Sequence, residues 1–111
     1  MSDAFVWFHN SSKTPNDSVS FYEKLLGWKQ TGGPKGMTMF GGENGPFASV
    51  GSEEGVEGWI PYARVDDVDA ATKKAKTLGA TILKDKTRGP AGHFSIVRDP
   101  GGAAVALWQK A

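Results

Sequence analysis

Six residues of this sequence have types and spacing that fit the binding of a small molecule. They form three pairs whose members are two positions apart: Trp7 and His9, Tyr62 and Arg64, and Ala106 and Trp108. Residues two apart on a β-strand point to the same face of a sheet. We therefore expect each pair to lie on one strand of a common binding face, with aromatic walls and a floor of small residues.

The chemistry of these residues favours an anionic ligand with an aromatic part. The planar guanidinium of Arg64 can hold a carboxylate or phosphate through two parallel hydrogen bonds. The rings of Trp7 and Trp108 would contribute apolar burial and stacking. The residues thus predict a small, partly aromatic, anionic ligand, with Arg64 as its charge anchor and Trp7 as its stacking wall.

Several of these candidates also have a purely structural interpretation. Trp7 can be packed core, Arg64 can pair with a nearby carboxylate, and His9 can be a hydrogen-bonded residue at a strand end. If the protein is an enzyme, His9 and Tyr62 are the candidate catalytic residues, because their side chains can transfer protons. The sequence leaves both interpretations open.

Composition argues against several other classes of function. The chain has no cysteine, which excludes disulfides and thiolate chemistry, and its formal net charge is +1. Its strongest basic cluster, at residues 73–76, falls on a predicted helix and fits a solvated helix face, so no nucleic-acid partner is expected. No run approaches the ~18 apolar residues of a membrane span, and no apolar signal core is present. We expect a cytoplasmic protein without a membrane partner.

A strand–helix unit that positions these residues occurs twice. Residues 59–65 alternate between two differently used strand faces, and residues 68–78 carry apolar side chains at helical spacing. Residues 4–10 and 16–26 form a weaker copy of the same pair. Three short strands are predicted after each helix, so each half reads β-α-β-β-β.

This repetition predicts an α+β fold in a single domain, residues 1–111. The domain would consist of two tandem βαβββ modules, residues 1–55 and 56–111. Their eight strands would form one curved mixed sheet around a cup, with both helices on the outer face. The cup is where a ligand is expected.

Local signals mark the ends of the predicted helices and one turn. Asp66 or Asp67 is placed to cap the second helix, and Gly27 and Gly79 are placed to end the two helices in a left-handed conformation. The proline and glycine of residues 99–102 favour a type II turn.

Three stretches of the chain carry motifs of a known family. They are FYEKLLGW at residues 21–28, ARVDDVDAATKKAKTLGA at residues 63–80 and VRDPGGAAVALWQ at residues 97–109. In this order and spacing they resemble the vicinal oxygen chelate superfamily. That superfamily includes glyoxalase I, bleomycin-resistance proteins, fosfomycin-resistance enzymes and extradiol dioxygenases. The resemblance covers nearly the whole chain and implies the same paired-module fold.

The resemblance also implies a divalent metal, held by His or Glu from the first and last strand of each module. Carried over position by position, the ligand positions fall at Trp7, Ile60, Ala106 and within residues 47–50. None of these positions supplies His, Asp or Glu, and indole and methyl groups do not coordinate such cations. We therefore expect no metal and no other cofactor.

Three classes of function remain open at this stage. The first is a glyoxalase/bleomycin-resistance-like protein that lacks the family metal ligands and binds a small molecule. The second is a glyoxalase-like lyase or isomerase acting on a small carbonyl substrate without the usual metal. The third is an assembly module whose cup is filled by its own side chains. A homodimer is expected because sheet edges would be open and a short chain closes such a cup poorly, with Trp108 as a candidate contact.

Overall fold

Two helices and eight strands occur in residues 4–111, the part of the chain that this computed structural model describes. The first half contains β1 (Phe5–Ser11), α1 (Pro15–Leu26), β2 (Lys29–Gly32), β3 (Thr38–Gly42) and β4 (Gly45–Gly51). The second half contains β5 (Gly58–Arg64), α2 (Val68–Thr77), β6 (Thr81–Arg88), β7 (Gly92–Arg98) and β8 (Ala104–Lys110). The order β-α-β-β-β therefore occurs twice, which confirms the predicted repeat. Neither of these helices is long and apolar enough to cross a membrane.

The strands form a mixed sheet of eight strands. The order is β2-β3-β4-β1 in the first half and β5-β8-β7-β6 in the second. In each half the last strand runs parallel to the first, β4 beside β1 and β8 beside β5. The remaining pairs in both halves are antiparallel. This arrangement confirms the predicted α+β class with a mixed sheet.

The chain divides into two compact units. The N-terminal unit comprises Trp7–Trp59, and the C-terminal unit comprises residues 4–6 together with Ile60–Ala111. β1 and β5 each contribute residues to both units. Of the six predicted site residues, Trp7 and His9 thus belong to the N-terminal unit and the other four to the C-terminal unit.

The two helices begin and end where the sequence signals predict. α1 has Pro15 in its first turn and ends at Gly27, whose φ of 71° is left-handed. α2 begins after Asp67, whose Oδ1 accepts a hydrogen bond from the Ala70 amide at 3.1 Å. Gly79, with φ of 102°, follows the end of α2. The expected cap and both glycine terminators are confirmed.

The apolar stripes of the helices are only partly covered. In the N-terminal unit Val19 packs with Phe40 and Val50 in a small core, against which Tyr22 and Trp28 also pack. In the C-terminal unit the fully buried apolar residues are Ile60, Val68, Ile96 and Ala106. Leu25, Leu26 and Leu78, which continue the helical stripes, remain more than half exposed.

Two local expectations are wrong. The turn at residues 99–102 is not type II, because the positive φ that this turn requires at Gly101 occurs instead at Gly102. Asp99 Oδ1 accepts hydrogen bonds from the Gly101 and Ala103 amides at 2.8 and 3.1 Å, which stabilises the alternative turn. The sequence also predicts a strand at residues 80–84 followed by a loop at residues 86–92, whereas β6 continues to Arg88 and its pairing with β7 shifts register twice.

Candidate functional site

Trp7 and His9 of the N-terminal unit meet at Ser49 of β4. The Trp7 indole Nε1 donates to Ser49 Oγ at 2.9 Å, and His9 Nδ1 lies 2.6 Å from the same oxygen. Ser49 is completely buried and His9 is 4% exposed. The two predicted site residues of this unit are therefore joined by a hydroxyl group that the sequence analysis missed.

The parallel pairing of β1 and β4 produces this cluster. The register places His9 directly opposite Ser49, so their side chains lie on the same face of the sheet. Gly51, two residues further along β4, leaves room for the imidazole. A Cβ at Gly51 would lie 3.0 Å from His9 Cε1 and 3.3 Å from His9 Nε2. The glycine thus allows the ring to pack against the strand backbone.

The opposite face of β1 is turned toward α1. Asn10 Nδ2 donates to the hydroxyl of Tyr22 on α1 at 3.4 Å, and the Trp59 indole donates to the same hydroxyl at 3.0 Å. The Tyr22 ring stacks on Trp28, with ring centroids 5.3 Å apart. Because Asn10 alternates with His9, the predicted division of β1 into a helix-facing side and a second side is confirmed. We call the second side the far face of the N-terminal unit.

The other predicted site residues are strand neighbours in the C-terminal unit. Tyr62 pairs with Ala106, and Arg64 pairs with Trp108, across the parallel β5–β8 ladder. The Tyr62 ring lies 5.5 Å from the ring of Phe94 on β7. Tyr62 and Trp108 are half-buried, and Ala106 is completely buried.

Contacts made by α2 show which face these residues occupy. The amide of Val68, the first residue of α2, donates to Gln109 Oε1 at 2.8 Å, and Thr72 Oγ1 lies 2.8 Å from Ser95 Oγ. Gln109 and Ser95 alternate with Trp108 and Phe94, which consequently lie on the side of the sheet turned away from α2. We call this side the far face of the C-terminal unit. The residues on this face of β5 and β8 are those that the predicted alternation places together.

Two residues of this far face were missed by the sequence analysis. Phe94 pairs with Trp108 across the β7–β8 ladder, and the ammonium group of Lys84 lies 5.6 Å from the Phe94 ring centroid. The signal for Phe94 was present, because Phe94, Ile96 and Arg98 alternate within β7. The position of Lys84 depends on the register shifts of β6, for which the sequence carries no comparable signal.

Arg64 lies at the end of β5 with an exposed side chain. Its backbone amide donates to the Ala4 carbonyl at 3.2 Å, which fixes the strand end while leaving the guanidinium in water. An exposed guanidinium retains its hydration, so burial of its charge gives no reason to infer a bound anion. Arg64 is favoured as an anchor instead by its strand partner Trp108 and by Phe94, which pairs with Trp108 on the next strand.

The residues at the positions of the family metal do not fit a metal ion. The indole nitrogen of Trp7 is already a donor to Ser49, and Ile60 and Ala106 are buried apolar residues. Within residues 4–111 no group of three or more His, Cys, Asp or Glu side chains could hold a metal. We derive no chemical step through a metal.

The close approach of Ser49 and His9 does not form a nucleophile–base pair of the kind used in acyl transfer. A nucleophilic hydroxyl must reach the substrate, and Ser49 is completely buried. Of the two proton-transfer groups that the sequence suggests, Tyr62 is half-buried, whereas His9 at 4% exposure is nearly as enclosed as Ser49.

Comparison with known proteins agrees with this fold. The family model of the Glyoxalase/Bleomycin resistance protein/Dioxygenase superfamily matches residues 11–107. The chain belongs to this superfamily. CFP32 of Mycobacterium tuberculosis is 32% identical over 93% of the chain, and the anthracycline biosynthesis protein DnrV of Streptomyces peucetius is 28% identical over 95%.

The matched region is only part of each relative. The superfamily member spans 44% of CFP32 and 46% of DnrV, so it has less than half the length of these curated relatives. A solved superfamily member from Vibrio splendidus 12B01 matches over the full length of both chains, with a TM-score of 0.68 and 14% identity. That likeness establishes the fold alone.

Proposed function

We propose that this superfamily member binds a small, partly aromatic, anionic molecule on the far face of its C-terminal unit. The observation that carries the proposal is the row formed by Arg64, Trp108 and Phe94, which are successive partners across β5, β8 and β7. The row puts a guanidinium beside two aromatic side chains on one sheet face. Aromatic faces favour a planar apolar group, and the guanidinium favours an anion attached to it.

The next row of the same face contains one aromatic, two aliphatic and one basic residue. Tyr62, Ala106, Ile96 and Lys84 are successive partners from β5 to β6. Ala106 and Ile96 are completely buried and form the base of this row, while the half-buried rings of Tyr62 and Phe94 lie against each other with centroids 5.5 Å apart. The ammonium group of Lys84 lies over the Phe94 ring.

One relative gives independent support for an aromatic ligand. DnrV carries anthracycline biosynthesis in its name, and anthracyclines contain fused aromatic rings. The sequence-based assignment of Trp7 and His9 as ligand-binding residues remains a prediction, as does a cytoplasmic location.

The proposal is tested by a binding screen that uses the four tryptophans of the chain as the reporter. Salicylate and 1-hydroxy-2-naphthoate would be compared with their uncharged carboxamides, which match them in shape. We expect the anions to change tryptophan fluorescence at concentrations at which the amides do not. Equal responses to anion and amide would contradict recognition of the negative charge.

A second candidate function is that of a glyoxalase-like lyase or isomerase acting on a small carbonyl substrate. Membership of the superfamily favours it, and the proton-transfer group would be His9 of the N-terminal unit or Tyr62 of the C-terminal unit. Because the residues at the family metal positions do not fit a metal ion, this function would require a mechanism that does not use the family metal. Turnover of an α-ketoaldehyde that is lost in either His9→Gln or Tyr62→Phe would support it over simple binding.

We further propose that the protein is a homodimer. Phe21 and Leu25 of α1 are 55% and 61% exposed, and burial of such residues stabilises an interface. Sedimentation at micromolar concentration should show a species of twice the 11.8 kDa chain mass, and a species at 11.8 kDa would contradict the dimer.

A further inference from the structure

Ser49 Oγ has two hydrogen-bonding neighbours, and together they determine where its single proton goes. The Trp7 indole Nε1 can only donate, so it uses a lone pair of Ser49 Oγ at 2.9 Å. His9 Nδ1, at 2.6 Å, can either donate to Ser49 or accept from it, depending on its tautomer. The direction of this second bond therefore decides whether His9 Nδ1 carries a proton.

Only one direction satisfies every buried polar atom. If His9 Nδ1 carried a proton, Ser49 would accept from both neighbours and its own hydroxyl proton would need a third partner. Among residues 4–111 the Ser49 hydroxyl has no third partner, and it is completely buried. A buried donor without an acceptor is strongly disfavoured. The hydroxyl of Ser49 must then donate to an unprotonated His9 Nδ1.

We propose that Ser49 is a positioning residue that holds His9 as the neutral imidazole with its proton on Nε2. Trp7 orients the hydroxyl by occupying one lone pair of Ser49, and the absent side chain at Gly51 lets the imidazole pack in this orientation. Because the Nδ1 lone pair accepts from Ser49, the one ring proton of His9 is on Nε2, which makes Nε2 a hydrogen-bond donor.

The proposed ligand site lies in the C-terminal unit, whereas the tautomer of His9 determines what can bind on the far face of the N-terminal unit. A ligand group that meets His9 must be an acceptor, such as a carbonyl, phenolate or carboxylate oxygen. An ammonium group, which can only donate, would meet the Nε2 proton, which is also a donor. In the alternative enzymatic function this neutral imidazole would polarise a carbonyl oxygen by donating a hydrogen bond from Nε2, without giving up its proton.

The experiment measures the imidazole nitrogens directly in the full-length chain without ligand. Long-range proton–nitrogen correlation spectra would be recorded at about pH 8.5, where histidines of ordinary pKa are neutral. We expect His9 Nδ1 to resonate as an unprotonated nitrogen and Nε2 as a protonated one, with a tautomer ratio above about ten. His93, the other histidine, is an internal reference, and a His93→Gln variant assigns the signals.

Two variants separate positioning from general packing. Ser49→Ala should lower the tautomer ratio of His9 several-fold, whereas Trp7→Phe should leave it high because the Ser49 hydroxyl remains. A protonated Nδ1 in the unaltered protein, or an unchanged ratio in folded Ser49→Ala, would overturn the inference. If Ser49→Ala does not fold, the spectrum of the unaltered protein still decides the tautomer. Because no ligand is present, neither outcome depends on the proposed binding function.

Discussion

The buried hydroxyl of Ser49 should contribute measurably to folding stability. Ser49→Ala removes the acceptor of the Trp7 indole and the donor to His9. Loss of the Trp7 bond should cost about 0.5–1.5 kcal/mol, because the half-buried indole can regain a water partner. Loss of the His9 bond should cost about 1–3 kcal/mol, because that imidazole is 4% exposed. We expect a total loss of about 2–4 kcal/mol in the free energy of unfolding.

Urea denaturation of Ser49→Ala, Trp7→Phe and the double variant would measure this contribution as a cycle. The double variant should lose about 0.5–1.5 kcal/mol less than the sum of the single variants, because their shared bond is counted twice in that sum. Ser52→Ala, a change at an exposed serine, is the matched control and should stay within about 0.5 kcal/mol of the parent. A Ser49→Ala variant as stable as the Ser52→Ala control would refute the reasoning.

Two further predictions concern backbone packing and metal content. Gly92→Ala should destabilise the protein by at least about 1–3 kcal/mol, since the added Cβ would lie 2.1 Å from the Gln109 carbonyl oxygen. Gly42→Ala, which adds its Cβ in open space, is the control in the same thermal unfolding assay, and equal melting temperatures would contradict the prediction. The purified protein should contain no stoichiometric divalent metal, and it should melt at the same temperature with and without a chelator. About one metal ion per chain in elemental analysis would contradict this prediction.

The repeat of strand and helix was predictable because its signals are local. Asp67 and Gly27 act through their own turns, so their types alone indicate where a helix begins or ends. The alternation of Trp7, His9 and Asn10 likewise predicted the two faces of β1. These features need no knowledge of the rest of the chain.

The parts that the sequence did not predict depend on pairing between distant residues. Ser49 joins the candidate site only because the parallel register sets it opposite His9, 40 positions away. Lys84 reaches Phe94 only through the register shifts of β6. The turn after β7 was mispredicted because the side chain of Asp99 accepts two backbone amides, which favours a different glycine conformation. Such contacts leave no periodic pattern in the sequence.

In the proposed function, the far face of the C-terminal unit recognises an anion through Arg64. Arg64→Met keeps most of the length of the side chain and removes its charge. Lys73→Met removes an exposed charge from α2, on the other side of the sheet from this face, and serves as the control. Both variants should retain the melting temperature of the parent, because both side chains are exposed.

Titration calorimetry with the aromatic anion selected by the fluorescence screen is the most direct test. We expect Arg64→Met to weaken binding by about 1.5–3 kcal/mol, the range for hydrogen bonds to charged groups, and Lys73→Met to change it little. An Arg64→Met variant that binds the anion as tightly as the parent, or that unfolds, would contradict the account and identify Arg64 as a structural residue.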